Sequence, residues 1–174
     1  MSNSYKIAVL PGDGIGPEVT AESVKVLNVL AQAFQYKFEF EYAKMGAEAI
    51  FETGNPLPEE TLTVCKNADA VLFGAIGDPY FDNNPDAKVR PEQGLLKLRK
   101  ELGLFANIRP IKTYSSLTKK SPLKKEIVDG TDIQIYRELI SGIYFGEKFT
   151  DENGEYAYDI CKYNKDEIVQ IAHL

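Results

Sequence analysis

Short apolar runs alternate with longer amphipathic segments along the first hundred residues. Residues 5–10 and 68–75 are almost continuously apolar, and a glycine turn follows each run. Such runs predict strands that are buried on both faces, as in a parallel sheet. Residues 37–42 instead alternate aromatic and charged side chains, which predicts a strand with one face in solvent.

Helical spacing fills the intervals between these strands. Pro17 and Glu18 suit the first turn of a long helix, and residues 45–51, 58–67 and 91–100 predict shorter ones. The apolar face expected for the long helix comprises Val24, Leu27, Leu30, Ala31 and Phe34. Strands that alternate with helices predict an α/β fold with a mostly parallel sheet and flanking helices.

The helix that Pro91 opens carries an unusual stripe. Glu92, Leu95, Leu96 and Arg99 recur at i, i+3, i+4 and i+7, which places them on one face. An arginine beside two leucines suits a small anion that carries an aliphatic group. An ordinary amphipathic helix with charges at its edges gives the same pattern, and this stretch alone favours that simpler explanation.

Leu98 and Leu102 lie beside that stripe, four residues apart. We expect these two side chains to hold the helix to the body of the protein.

A glycine turn links the first strand to the long helix. Its spacing is G-x-G-x-G over residues 12–16, and not the G-x-G-x-x-G of dinucleotide-binding folds. A helix N-terminus after such a turn suits an anion, but a simple tight turn explains the glycines equally well. Residues 74–78 also follow a strand end, so we expect both turns to face one crevice.

The second half of the chain changes character. In residues 132–139, Ile133, Ile135, Arg137 and Leu139 share one strand face. A buried arginine on such a face requires an anionic partner or several hydrogen-bond acceptors. Residues 147–162 predict a hairpin arm with its turn at 151–154, either an oligomer contact or a simple surface hairpin.

The last segment predicts a helix with a capping box, formed by Asn164 and Glu167. The sequence stops at Leu174, about two turns later, with no glycine cap. We therefore expect a cut chain more than a finished one. His173, the only histidine, lies in this helix and is not a plausible catalytic base.

Composition narrows the range of partners and locations. The 174 residues are 44% hydrophobic and carry a net charge of −6, with no basic stripe beyond a short lysine cluster at 119–125. We therefore expect no nucleic-acid partner, and no membrane partner, because no apolar run reaches the ~18 residues of a span. Cys65 and Cys161 are isolated, and the N-terminus lacks a signal-peptide pattern, so a cytoplasmic location is predicted.

Four motifs then occur in a specific order. They are AVLPGDGIGPEV (residues 8–19), PEQGLLKLRK (91–100), LFANIRP (104–110) and RELISGIYFG (137–146). Together they closely resemble the isocitrate/isopropylmalate dehydrogenase family, the β-decarboxylating dehydrogenases, and within it the isopropylmalate branch. The resemblance covers the whole chain.

The resemblance implies a reaction and an architecture. Members oxidise a 2-hydroxy acid, here 3-isopropylmalate, with NAD and Mg²⁺ or Mn²⁺, and then release carbon dioxide. They are about twice this length, so the chain is expected to be an N-terminal half that is inactive alone. Residues 1–105 would begin the first domain, and residues 106–174 the dimerisation domain of a homodimer, with its arm at 147–162.

The resemblance also implies roles for individual residues. Tyr144 would be the catalytic acid, and Leu95 and Leu96 would contact the isopropyl group. The active-site lysine and the metal-binding aspartates would lie beyond Leu174, so no metal ligand is expected in this chain. The substrate carboxylates would be bound by Arg99, Arg109 and Arg137, and the cofactor would be contacted by Ile15, Gly74, Asp78 and Glu92.

Different assignments stay open within and outside the family. Isocitrate members place a serine and an asparagine where this chain has Gly94-Leu95-Leu96, and an apolar pair disfavours a third carboxylate. A homoisocitrate or tartrate type stays open, as does a non-catalytic anion-binding module. Ser141 stands where the family more often has glycine, which a serine can replace if its φ stays negative.

Overall fold

The computed structural model describes residues 3–174, which form two compact units. One unit ends at Leu102, and the other comprises Gly103–Leu174. The predicted domain boundary, between residues 105 and 106, lies close to this division. The assignment of the two parts to a cofactor domain and a dimerisation domain stays a prediction.

The first unit contains a three-stranded parallel sheet. Its strands are β1 (Ser4–Gly12), β2 (Lys37–Tyr42) and β3 (Ala70–Ala75), in the order β2-β1-β3. The central strand β1 is buried from Ile7 to Leu10 because it pairs on both edges. The α/β fold with a parallel sheet is therefore confirmed.

Helices follow the strands in the predicted alternation. They are α1 (Gly16–Phe34), α2 (Ala47–Thr53), α3 (Glu59–Lys66), α4 (Pro79–Asp82) and α5 (Pro91–Glu101). The single turn α4 was not predicted, because residues 78–90 look like a polar loop. The side chain of Asp78 starts this turn by accepting a hydrogen bond from the Tyr80 N–H at 2.8 Å.

The core of the first unit lies between the sheet and the shorter helices. Leu98 is buried in this cluster, and Leu102 packs against it, as the sequence predicts. Burial of such side chains is the main stabilising term for a unit of this size. The cluster consists of Ala8, Leu10, Met45, Leu57, Leu62, Cys65 and Leu98.

The predicted apolar face of α1 is only partly buried. Val24, Leu27 and Ala31 are half-buried, whereas Leu30 and Phe34 are 40% and 63% exposed. The helix is apolar on a second side as well, so its periodicity does not single out the packed face. The exposed side carries Ile15, Val19, Val26 and Val29.

The second unit is built on two antiparallel ribbons. Strand β4 (Ala106–Lys112) pairs with β5 (Asp132–Glu138), and β6 (Lys148–Thr150) pairs with β7 (Ala157–Asp159). The second ribbon confirms the predicted hairpin. Helices α6 (Lys125–Val128) and α7 (Lys165–Ala172) and 3₁₀ turns at Thr118–Lys120 and Gly142–Tyr144 complete the unit.

Two expectations for this unit need correction. Strand β4 was not predicted, because Pro110 interrupts its pattern and proline is uncommon within a strand. The supposedly buried face of β5 is open, with Ile133 51% and Ile135 41% exposed. By contrast, the capping box of α7 is present, with Asn164 and Glu167 exchanging side-chain-to-backbone hydrogen bonds.

Across residues 3–174, every helix is too short or too polar to traverse a bilayer.

Candidate functional site

The glycine turn after β1 is organised by a buried carboxylate. Asp13 is 5% exposed, and one of its oxygens accepts a hydrogen bond from the Ala47 N–H at 2.8 Å. The other accepts from the Gly77 N–H at 3.1 Å. Asp13 thus joins the turn after β1, the start of α2 and the turn after β3. The two glycine turns therefore lie side by side at the edge of the sheet formed by the carboxyl ends of the strands, as the sequence predicts.

Predicted cofactor residues lie around this edge. Ile15 caps the start of α1 and is 57% exposed, and Asp78 follows β3 at the start of α4. Glu92 lies in the first turn of α5, with a carboxylate oxygen 3.3 Å from where a Cβ on Gly77 would stand. Gly74 is different, because it lies within β3, where a Cβ would overlap the Pro11 carbonyl oxygen. Close packing already accounts for that glycine.

An open cavity of about 550 Å³ adjoins the N-terminal part of α1. Ile15, Val19 and Ala21 give it an apolar lining, while Glu18 and Glu22 also line it. Such a surface suits a flat apolar ring. The two carboxylates disfavour a pyrophosphate there, since like charges repel.

The stripe on α5 is present as predicted. Leu95, Leu96 and Arg99 are half-buried, and Glu92 is exposed. Leu95 also packs against the core cluster, so part of its surface is committed to the fold. Leu96 is therefore the stripe leucine whose half-open surface is the better candidate for contact with a ligand.

In the second unit, the β4–β5 ribbon gathers polar side chains on one face. Asn107 is directly opposite Arg137, and Arg109 is opposite Ile135. Arg109 and Arg137 are therefore diagonal neighbours on the same face. The Arg109 Nε–H donates a hydrogen bond to the Asn107 side-chain oxygen. Two of the predicted substrate arginines are thus brought together, with an asparagine beside both.

Tyr144 joins this face from the turn after β5. An Arg137 Nη2–H donates a hydrogen bond to the Tyr144 hydroxyl oxygen at 3.1 Å. The guanidinium carbon lies 5.6 Å from the centre of the tyrosine ring, in cation–π range. Among the described residues, Arg137 forms no ion pair, and it is half-buried. Of the two kinds of partner predicted, an anion or several acceptors, the contacts of the described residues supply one acceptor, the Tyr144 hydroxyl.

The backbone before Tyr144 accommodates the unusual serine. Ser141 has φ −140°, an extended conformation that any residue adopts. The expected condition for a serine at this position is met. The neighbouring Gly142 has φ +69° and lies against the ring of Tyr163. A hydrogen bond with the Cys161 side chain raises the pKa of Tyr163.

Sequence reasoning missed two residues of these sites. Asp13 carried no chemical signal, because its partners Ala47 and Gly77 are distant in sequence. Asn107 was overlooked because β4 was not predicted. The period-two pattern that Asn107 shares with Arg109 was the available signal.

Comparison with known proteins places the chain. The family model described as isocitrate/isopropylmalate dehydrogenase matches residues 6–174. The chain belongs to the isocitrate/isopropylmalate dehydrogenase family. Two curated relatives carry the name 3-isopropylmalate dehydrogenase. The protein from Bacteroides fragilis is 57% identical over 167 residues, and the one from Aquifex aeolicus is 52% identical over 170 residues.

The matched relatives are longer than this chain. The match covers 96% of the chain but 47% of the Bacteroides fragilis protein and 46% of the Aquifex aeolicus protein. The chain therefore spans about half the length of these relatives.

Solved structures agree on the fold. A β-decarboxylating dehydrogenase from Thermococcus kodakarensis superposes with a TM-score of 0.66 at 35% identity, over 97% of this chain and 43% of that one. An isocitrate dehydrogenase from Methylococcus capsulatus gives 0.75 at 23% identity, over 97% and 45%. The latter likeness concerns the fold alone.

The described residues suit the family's nucleotide cofactor better than its metal ion. Ile15 follows β1, Asp78 follows β3, and the Glu92 carboxylate approaches the turn after β3. Positions at the carboxyl ends of parallel strands suit a nucleotide. For a metal ion, residues 3–174 offer no group of three or more His, Cys, Asp and Glu side chains. A family metal site would need ligands from outside the described residues, so no chemical step through a metal follows from them.

Proposed function

We propose that this chain is the N-terminal half of a 3-isopropylmalate dehydrogenase of leucine biosynthesis. The complete protein would oxidise the C2 alcohol of 3-isopropylmalate to a ketone. The bond from C3 to its carboxylate would then break, releasing carbon dioxide. Protonation of the resulting enolate at C3 would give 4-methyl-2-oxopentanoate. The names of the close relatives support this substrate.

The observation that carries the proposal is the contact between Arg137 and Tyr144. The guanidinium is planar and permanently charged, so it suits a substrate carboxylate. It donates to the Tyr144 oxygen and leaves the phenol's own proton free for donation. Tyr144 would give that proton to C3 of the enolate, and the adjacent guanidinium charge would stabilise the phenolate that results.

The proposed substrate residues are arginines and leucines. Arg109 would add a second guanidinium on the face that carries Arg137. On α5, Arg99 would bind a carboxylate, and Leu95 and Leu96 would bind the isopropyl group. An apolar pair at this position favours a branched alkyl group over a third carboxylate, which would lose its hydration there.

The nicotinamide cofactor would supply the hydride acceptor when bound. Ile15, Asp78 and Glu92 would contact it at the strand ends, and Gly74 would contribute backbone there. Glu92 is exposed, so its carboxylate is available to a ribose hydroxyl. Mg²⁺ or Mn²⁺ would be held by residues of the complete protein outside this chain.

We also propose a cytoplasmic homodimer. The exposed apolar side of α1 and the aromatic face of the β6–β7 arm support association, because large exposed apolar patches favour burial. On the arm, Phe149 packs between Tyr156 and Tyr158, with ring centres 5.6 and 5.5 Å away. This places a flat aromatic surface at a hairpin.

The decisive experiment compares two proteins. One is this chain alone, and the other is this chain continued with the C-terminal half of the Bacteroides fragilis relative. NADH formation is measured with 3-isopropylmalate, NAD and Mg²⁺ or Mn²⁺, and with isocitrate as the competing substrate. We expect turnover of 3-isopropylmalate by the continued chain and none by the chain alone. Preference for isocitrate, or turnover by the chain alone, would contradict the proposal.

A further inference from the structure

The turn that carries Tyr144 is held by a distant segment. Gly142 donates its N–H to the Lys162 carbonyl at 3.0 Å, and Ile160 donates its N–H to the Glu147 carbonyl at 2.9 Å. These bonds bracket Tyr144 on both sides. The segment from Ile160 to Tyr163, which follows β7, therefore lies along the whole Tyr144 turn.

Two glycines of the turn have no room for a side chain. A Cβ on Gly146 would overlap the Ile160 carbonyl oxygen, and one on Gly142 would overlap the Tyr163 hydroxyl. Gly142 also has φ +69°, a region that favours glycine. The turn and the segment are therefore packed directly against each other at both glycines.

The strand side of the turn is fixed separately. The carboxylate of Glu138 accepts hydrogen bonds from the N–H groups of Ile140 and Ser141 at 2.8 and 3.3 Å. Glu138 directly follows Arg137 and is the last residue of β5. These two hydrogen bonds therefore fix the direction of the backbone just after the strand. The turn that leads to Tyr144 is thus held at its start by Glu138 and along its length by the segment after β7.

We propose that Tyr163 and the Ile160–Tyr163 segment position Tyr144 against Arg137, and so couple the arm to the proton donor. Tyr163 contacts Gly142 and would act through that glycine as a positioning residue. This inference rests on the proposed function for its catalytic consequence. Its geometric part depends only on contacts within the second unit.

The geometric part is tested in this chain, labelled with 3-fluorotyrosine. The ¹⁹F resonance of Tyr144 is assigned by its loss in Tyr144→Phe, and the contact with Arg137 is followed by the nuclear Overhauser effect between the two side chains. Gly146→Ala and Tyr163→Ala should shift the Tyr144 resonance and abolish that effect. Tyr163→Phe loses the hydroxyl but keeps the ring carbons that also lie against Gly142, so it should retain the Tyr144 chemical shift and the Overhauser effect.

A matched control lies at the tip of the same arm. Gly154→Asn is also a glycine substitution; a Cβ there meets no atom within 4 Å, and asparagine tolerates the φ of +71° better than alanine does. It should leave the Tyr144 signals unchanged. If Tyr163→Ala lowers the unfolding midpoint too far, Tyr163→Leu is measured in its place. Unchanged Tyr144 signals in folded Gly146→Ala and in the folded Tyr163 variant would overturn the inference.

The catalytic part uses the same variants in the continued chain. Loss of a positioned proton donor costs on the order of 10²-fold in rate, and partial misplacement should lower kcat by about tenfold while KM changes less than about twofold. Equal kcat values would overturn the coupling. If the unsubstituted continued chain fails to turn over 3-isopropylmalate, the proposed function falls, whereas the NMR result still decides the positioning.

Discussion

The carboxylate of Asp13 accepts a hydrogen bond from the Gly77 N–H at 3.1 Å and thereby ties the turn after β1 to the turn after β3. Its other oxygen holds the Ala47 N–H at 2.8 Å. Gly46, just before α2, has φ +85°, and a Cβ there would collide with the Asp13 carboxylate. One buried side chain thus determines the arrangement of the edge where the predicted cofactor residues lie.

Removal of this carboxylate should destabilise the first unit. Asp13→Ala leaves the N–H groups of Ala47 and Gly77 without their acceptor, and each buried unsatisfied group costs about 1–3 kcal/mol. We expect a loss of about 2–4 kcal/mol in the free energy of unfolding, measured by urea denaturation. Asp13→Asn should lose less, because one side-chain oxygen remains.

The control for this prediction is Asp86→Ala, an exposed aspartate of the same unit. Exposed substitutions away from special features usually change stability by less than about 0.5 kcal/mol. Equal unfolding curves for Asp13→Ala and Asp86→Ala would show that the buried hydrogen bonds contribute nothing.

Burial of Cys65 predicts a dependence of stability on alkaline pH. Cys65 lies in the core of the first unit, 3% exposed, and burial raises the pKa of its thiol. In the unfolded chain the pKa of a cysteine thiol is about 8.5. Between that value and the raised pKa, the folded chain keeps a proton that the unfolded chain has released. The contribution to stability is therefore complete below about pH 8.5 and falls as the pH rises through this window.

The measurement is a series of urea unfolding curves from neutral to alkaline pH. Cys65→Ala should lose overall stability, because it leaves a cavity, but its stability should fall less steeply above about pH 8.5 than that of the unsubstituted chain. Leu62→Ala, which leaves a cavity in the same core cluster but removes no thiol, should keep the original slope. If the free energy of unfolding depends on pH in the same way in all three proteins, the buried Cys65 thiol is not the cause of the alkaline loss of stability.

Local sequence signals predicted much of the fold. The apolar run that became β1 and the capping residues of α7, Asn164 and Glu167, act through neighbours in sequence, so their patterns are visible without a structure. The role of Asp13 depends on Gly77, whose partnership arises only once β1 and β3 pair. No spacing rule contains that information.

The errors also have physical causes. Helix α1 is apolar on two sides, and periodicity reports which positions are apolar but not which side is packed. Leu30 and Phe34 were therefore assigned to a buried face and are exposed. Strand β4 was missed because Pro110 interrupts its pattern, although the proline is tolerated in a two-stranded ribbon where one edge of each strand is unpaired.

If the proposed function holds, kcat/KM should fall even when Arg137 is replaced by another positively charged residue. Arg137→Lys keeps the cation but loses the planar fork that both donates to Tyr144 and suits a carboxylate. A lost charge-assisted hydrogen bond is worth about 1.5–3 kcal/mol, so we expect kcat/KM to fall by about 10- to 100-fold. The chain continued with the Bacteroides fragilis C-terminal half is assayed with 3-isopropylmalate.

Lys112→Ala provides the comparison for Arg137→Lys. Lys112 is a cation on the same ribbon, but it alternates to the face opposite Arg109. It should leave kcat/KM unchanged within about twofold, as for a surface position. Equal losses in the two variants would point to a general effect of ribbon charge and against a specific site at Arg137.

The last prediction concerns Leu96 and the isopropyl group, and it uses the substrate as well as the protein as a variable. Leu96→Ala should reduce kcat/KM for 3-isopropylmalate by about 10-fold or more, since loss of apolar contact costs about 1–3 kcal/mol. Malate is the same acid without the isopropyl group, so the substitution should leave kcat/KM for malate nearly unchanged. A difference between the two substrates isolates the contact between Leu96 and the alkyl group, because any general effect on stability or on cofactor binding would lower both rates alike.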